Sequence, residues 1–167
     1  ELRQRGVEED PFVISTLIDM YAECGSLHEA WGAFNKLPHG DVVPSWNAML
    51  KACAINNEGD MSIHLLEKMQ EMSVKPDGIT FTCLLTACCR SSLVIEGQNF
   101  FKGMKMYGID PTVEHLACMV DILARSGHLS QAEKLFESLP HIPSKQMWTV
   151  LFNAYNIYVG IELGERL

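Results

Sequence analysis

The chain has 167 residues, a net charge of −8 from 13 basic and 21 acidic residues, and 47% hydrophobic residues. That apolar content suffices for a packed core and argues against disorder, and no apolar run approaches the roughly 18 residues of a membrane-spanning helix. The acidic excess weighs against non-specific phosphate binding, and Glu1-Leu2-Arg3-Gln4-Arg5 has no apolar targeting core behind it.

From residue 11 onward the chain reads as four successive helical hairpins. The first helix of each opens at an apolar anchor, Ile14, Trp46, Phe81 or Leu116. Apolar pairs follow three and four residues later: Leu17-Ile18, Met49-Leu50, Leu84-Leu85 and Met119-Val120, which is helical spacing. Turns come next, centred on Gly25, Asn57, Ser92 and Gly127, which recur at intervals of 32, 35 and 35 residues. The second helix of each copy has a small residue at one equivalent site (Ala30, Ser62, Gly97, Ala132), where two helices can approach closely. Each copy ends in a tail with proline, at Pro38, Pro76, Pro111 and Pro140, which cannot continue a helix. A lone hairpin cannot bury both faces, so the copies must stack. The expected fold is all-α, a right-handed α-solenoid with almost no strand.

Little in the chain suggests catalysis. The six cysteines form no Cys-x-x-Cys pair, and no histidine is followed two residues later by glutamate, as zinc deamination requires. Cys53 and Cys88 share one register within their repeats, and Cys83 and Cys118 share another, which argues for packing. No catalytic residue, metal site or cofactor is expected.

The repeat residues resemble the pentatricopeptide repeat family. Val43–Asp77, with Trp46-Asn47-Ala48-Met49-Leu50 and Lys75-Pro76-Asp77, resembles its P-type unit. Gly78–Thr112, with Leu84-Leu85-Thr86-Ala87-Cys88 and Gly108-Ile109-Asp110-Pro111-Thr112, resembles the longer L-type. Segments 11–42 and 113–144 resemble short S-type units, and residues 1–10 the tail of a preceding L-type. The stretch 145–167, from Trp148-x-x-Leu151-Phe152 to Gly164-Glu165, is similar to the start of the E motif of the plant PLS subclass.

That resemblance implies recognition of single-stranded organellar RNA, in mitochondrion or chloroplast, chiefly to guide cytidine-to-uridine editing. The E-like end would then face editing-complex proteins or a deaminase. It also implies two base-reading side chains per repeat: Asn47 with Asp77, Ser15 with Asp41, and Thr82 with Thr112. In the family's code the first pair corresponds to uridine. Because Pro44 lengthens the preceding junction, Val42 competes with Asp41 for its position. Phe12, Pro44 and Ile79 fall where a side chain sandwiches a base, and Arg90 and Arg125 where one reaches backbone phosphate. A competing expectation is a helical scaffold for protein partners, suggested by the acidic charge and nine methionines. Uncapped ends, including Ile161 and Leu163 in an incomplete helix at Gly160–Leu167, would favour self-association.

Overall fold

A computed structural model describes residues 10–37 and 43–137, together with the isolated positions 148, 149, 152 and 156. Within them, eight α-helices follow one another in pairs. The first members are α1 (Pro11–Glu23), α3 (Val43–Ile55), α5 (Gly78–Arg90) and α7 (Val113–Arg125). The second members are α2 (Leu27–Phe34), α4 (Gly59–Glu71), α6 (Val94–Gly103) and α8 (Leu129–Glu137); α6 runs on into a 3-10 turn, Met104–Tyr107. There is no strand among the described residues.

The residues that set the repeat register are also those that reverse the chain. Gly25, Asn57, Ser92 and Gly127 all have φ between 58° and 77°, in the left-handed region. In each turn the following N–H returns to a carbonyl five residues back: Ser26 to Tyr21, Glu58 to Cys53, Leu93 to Cys88 and His128 to Leu123, at 2.8–2.9 Å. This is the Schellman closure, which satisfies carbonyls that the helix end leaves open. It permits glycine at two of the four turns and accepts Asn or Ser at the others at modest strain.

The first helices form one continuous layer, α1 on α3, α3 on α5 and α5 on α7, while each second helix packs on its own partner, and α2, α4 and α6 also on the next repeat's first helix. Two core clusters fill the layer, one centred on Ile18, Met49, Leu50 and Phe81, the other on Leu85, Val120 and Ile122. The small-residue site is fully buried in all four copies. A Cβ at Gly97 would approach Ile122 Cδ1 to 2.8 Å, so a larger residue there would have to displace the end of the Ile122 side chain. The chain is thus the all-helical solenoid that its periodicity predicts.

One expectation needs correction. Each first helix starts three residues ahead of its apolar anchor, at Pro11, Val43, Gly78 and Val113. The cause is capping. Asp10 accepts the Phe12 N–H at 2.8 Å, and Asp77 and Thr112 each form a capping box with the third residue of the helix they precede. Caps therefore set the starts of α1, α5 and α7, and the apolar anchors fall a turn later. The third, seventh and eleventh residues of α3, α5 and α7 are all buried, on the side that meets the preceding repeat. In α1 the same positions hold Val13, Leu17 and Tyr21, which are half-buried and line an open groove with α2 residues Gly32 and Ala33.

Candidate nucleic-acid interface

The helix starts place the candidate residues in a shared geometry. Phe12, Pro44 and Ile79 are each the second residue of a first helix, and all three are exposed, Phe12 at 81% and Ile79 at 62%. They lie one per repeat along a single layer of helices, at the same turn of each. Glu114 continues that row on α7 with a charged side chain in place of an apolar one.

Three residues further along each helix stand Ser15, Asn47 and Thr82. Each is hydrogen-bonded to the third residue of the next first helix. Ser15 Oγ lies 3.1 Å from Ser45 Oγ, Thr80 Oγ1 donates to Asn47 Oδ1 at 2.7 Å, and Thr82 Oγ1 lies 3.1 Å from His115 Nε2. Ser45, Thr80 and His115 are buried polar residues at one equivalent position. Sequence reasoning missed them because it began each helix at the apolar anchor. The available signal was a polar residue two positions before Asn47 and before Thr82, at 45 and 80, recurring at the same repeat position as His115.

The structure brings Asn47 and Asp77 together. Asn47 is 7% exposed and donates from Nδ2 to Asp77 Oδ1 at 3.1 Å. A carboxylate only accepts, so this contact fixes which end of the amide faces Asp77. Thr80 closes the cluster: its N–H reaches Asp77 Oδ1 at 2.8 Å, its hydroxyl oxygen receives the Asp77 N–H at 3.0 Å, and its one hydroxyl hydrogen is shared between Asn47 Oδ1 and Asp77 Oδ1, the latter 2.9 Å away. One amide hydrogen of Asn47 is left over as a donor once Oδ1 and the other hydrogen are engaged.

Burial works to raise the Asp77 carboxyl. The backbone and side-chain hydrogen bonds from Thr80 and the amide of Asn47 outweigh it and hold the group below the usual carboxylate range. A carboxyl depressed by folding contributes stability that is complete above its unfolded value and is lost as pH falls through the folded one. Thr80→Val removes the hydroxyl donor and leaves the backbone N–H. It is expected to move Asp77 protonation upward toward the usual range, as read by carboxyl carbon NMR; an unchanged titration would contradict that account.

Thr82 and Thr112 are joined through a histidine. Thr112 N–H donates to His115 Nδ1 at 3.0 Å, Thr112 Oγ1 lies 2.8 Å from the same nitrogen, and Nε2 lies 2.8 Å from the Gly78 carbonyl. Asp41 lies outside the described residues. Since α3 starts at Val43, the residue directly before it, where Asp77 and Thr112 precede the later helices, is Val42.

The two arginines are in different electrostatic settings. Arg90 donates from Nη2 to the Ile55 carbonyl at the end of α3 and from Nε to Asn57 Oδ1, both neutral acceptors, so its charge is undiminished. Arg125 pairs with Asp121 at 2.7 Å, and Asp121 also accepts from Cys89 Sγ at 3.0 Å. Further along the layer Lys51 pairs with Asp19 at 3.0 Å. Burial pushes the thiols of Cys53 and Cys88 up to about 12 and that of Cys83 to about 11, which leaves them protonated at neutral pH.

Of the E-like stretch, Trp148, Thr149, Phe152 and Asn156 are described, and the Trp148 ring meets Phe136 of α8 edge-on at 4.7 Å between centroids. Ile161 and Leu163, on which the self-association expectation rests, lie outside the described residues.

Comparison with known proteins agrees with this architecture. A model of the PPR repeat family matches residues 41–90, and a PPR repeat model matches 12–40, 79–109 and 117–141. A chloroplastic pentatricopeptide repeat-containing protein of Arabidopsis thaliana is 39% identical over 160 residues, covering 96% of this chain and 18% of the relative. Another from the same plant is 34% identical over 167 residues, 99% of this chain and 28% of its own length. The chain thus spans between 18% and 28% of the length of these relatives. In fold it is similar to the crystal structure of the pentatricopeptide repeat protein PPR10 from maize, with TM-score 0.73 at 19% identity over 99% of this chain and 25% of that one. The PPR domain of Arabidopsis thaliana protein-only RNase P 1, solved in complex with tRNA, gives TM-score 0.68 at 12% identity over 92% of this chain and 84% of that one. The repeat period, the stacked hairpins and the family match agree: the chain belongs to the pentatricopeptide repeat family.

Proposed function

We propose that the chain recognises single-stranded RNA in a base-specific manner, one nucleotide per repeat. The observation that carries this reading is the Asn47–Asp77–Thr80 cluster. It holds an amide with one unused donor at the base of a row of exposed Phe12, Pro44 and Ile79. Apolar side chains on adjacent repeats can pack on both faces of a base, and a fixed polar group between them can read its edge. Asn47 with Asp77 then suits uracil, whose carbonyls accept the free amide hydrogen.

Ser15 with Asp41, and Thr82 with Thr112, form the neighbouring reading positions, and Arg90 supplies an uncompensated charge for backbone phosphate. Arg125, paired with Asp121, contributes less. The order of S-, P-, L- and S-type units before an E-like stretch supports a place among PLS-type factors. On this reading the protein guides cytidine-to-uridine editing in a chloroplast or mitochondrion, and its E-like end contacts the editing machinery.

The test is binding of single-stranded RNA by the intact protein, compared with a duplex of the same sequence, across a salt series. Preference for the single strand with affinity falling as salt rises is expected. Salt-independent or absent RNA binding, with capture of a protein partner instead, would favour the scaffold reading, for which the net charge of −8 is the specific support.

A further inference from the structure

The geometry points to His115 as a third specificity-determining residue of the repeat spanning 78–112, acting by setting the hydrogen-bond polarity of Thr82 and Thr112. This inference rests on the RNA reading above. His115 is 2% exposed and cannot itself meet a base. It belongs to the next repeat, as the third residue of α7, yet its two nitrogens serve both reading side chains.

The proton assignment follows from the partners. A backbone N–H can only donate, so the Thr112 N–H at 3.0 Å makes Nδ1 an acceptor. The ring hydrogen is therefore on Nε2, directed at the Gly78 carbonyl at 2.8 Å and close to Thr82 Oγ1 at 3.1 Å. Thr82 sends its own hydroxyl hydrogen to the same carbonyl at 3.2 Å, and the Thr112 hydroxyl, 2.8 Å from Nδ1, shares that nitrogen's lone pair with the Thr112 N–H while its oxygen accepts the His115 N–H. Both hydroxyls are then committed as donors inward, and what they offer outward is lone pairs. The preceding repeat is the reverse case, since Asn47 offers an N–H.

A surface of two acceptors favours a base with adjacent donors on its pairing edge. Guanine has them, in its N1–H and exocyclic amine. Free threonine hydroxyls would rotate to donate or accept and would discriminate poorly. The buried histidine removes that freedom.

The test uses the intact protein and single-stranded RNA carrying each of the four bases at the nucleotide facing this repeat. The unmodified protein should favour guanosine there. His115→Gln keeps an acceptor and a donor about as far apart as the ring nitrogens and fits the capping box, so it should retain the preference. His115→Asn keeps an amide beside Thr112 but is too short to reach Thr82 or Gly78. It should flatten the preference by roughly fivefold or more at that nucleotide, with the nucleotide facing Asn47 unaffected. Thermal melts establish that both variants are folded. If both variants leave the preference unchanged, or if the unmodified protein favours a base other than guanosine, the assignment of His115 is overturned while selectivity at the Asn47 nucleotide still upholds the RNA reading. Loss of selectivity at both nucleotides in the unmodified protein would sink the two together.

Discussion

Phe81→Ala is expected to lower the free energy of unfolding by about 3–5 kcal/mol, the range for deleting a fully buried phenylalanine. Phe81 is 1% exposed, the fourth residue of α5, and its ring meets Tyr107 at 5.4 Å between centroids. It therefore ties the start of α5 to the turn that ends α6. Trp46 has the equivalent place in the previous repeat, against the edge of Phe34 at 4.9 Å. In a repeat array stability is close to a sum of repeat and interface terms, so the loss falls on one hairpin and its two neighbours. Denaturant unfolding should show a clearly lower midpoint, and if this hairpin uncouples from the rest the single transition should broaden or split. A midpoint equal to that of the unmodified chain would mean that the site collapses around the alanine, contrary to the packing described. The damage would also reach the interface, because Asp77 and Thr80, which hold Asn47, lie at the first turn of the same helix.

How far this arrangement could be read in advance differs from residue to residue. The turns were legible because a left-handed residue is chemically restrictive, and Gly25, Asn57, Ser92 and Gly127 are residues that tolerate it. The small buried site was legible for a related reason: Ala30, Ser62, Gly97 and Ala132 stand at a fixed distance beyond the turns. Helix starts were not, because periodic apolar residues mark where a helix meets the core and not where it begins. Asp77 and Thr112 begin their helices by capping, and a cap appears in sequence as an ordinary polar residue near proline. The linking residues were hidden by the same error. Ser45, Thr80 and His115 are polar but not of one kind, two hydroxyls and an imidazole, and the partner of each lies 30 to 33 residues away in sequence.

Asn47→Thr is expected to move the preferred base at its nucleotide from uridine toward guanosine, by roughly 1–3 kcal/mol if the contact behaves like a good side-chain–base pair. The reason lies in what Asp77 can do. Its carboxylate holds the charged form and can only accept, so any side chain beside it must turn a donor inward. Asn47 has two amide hydrogens, gives one to Asp77 Oδ1 at 3.1 Å and keeps the other for the base. Threonine has one hydroxyl hydrogen. Once that hydrogen is committed to Asp77, only lone pairs face the base, and the outward group changes from donor to acceptor. A base with carbonyls at its edge loses its partner, and one with N–H groups gains one. The change should be confined to a single nucleotide, because Ser15 and Thr82 contact Ser45 and His115 and not Asp77. Thr80 still bonds Asp77 through its N–H at 2.8 Å, so the helix cap survives and the fold should be retained. Competition binding by the intact protein with each base at each position measures the shift. An unchanged base profile in a variant that still binds RNA would show that Asn47 serves the cap of α5 and does not read the base.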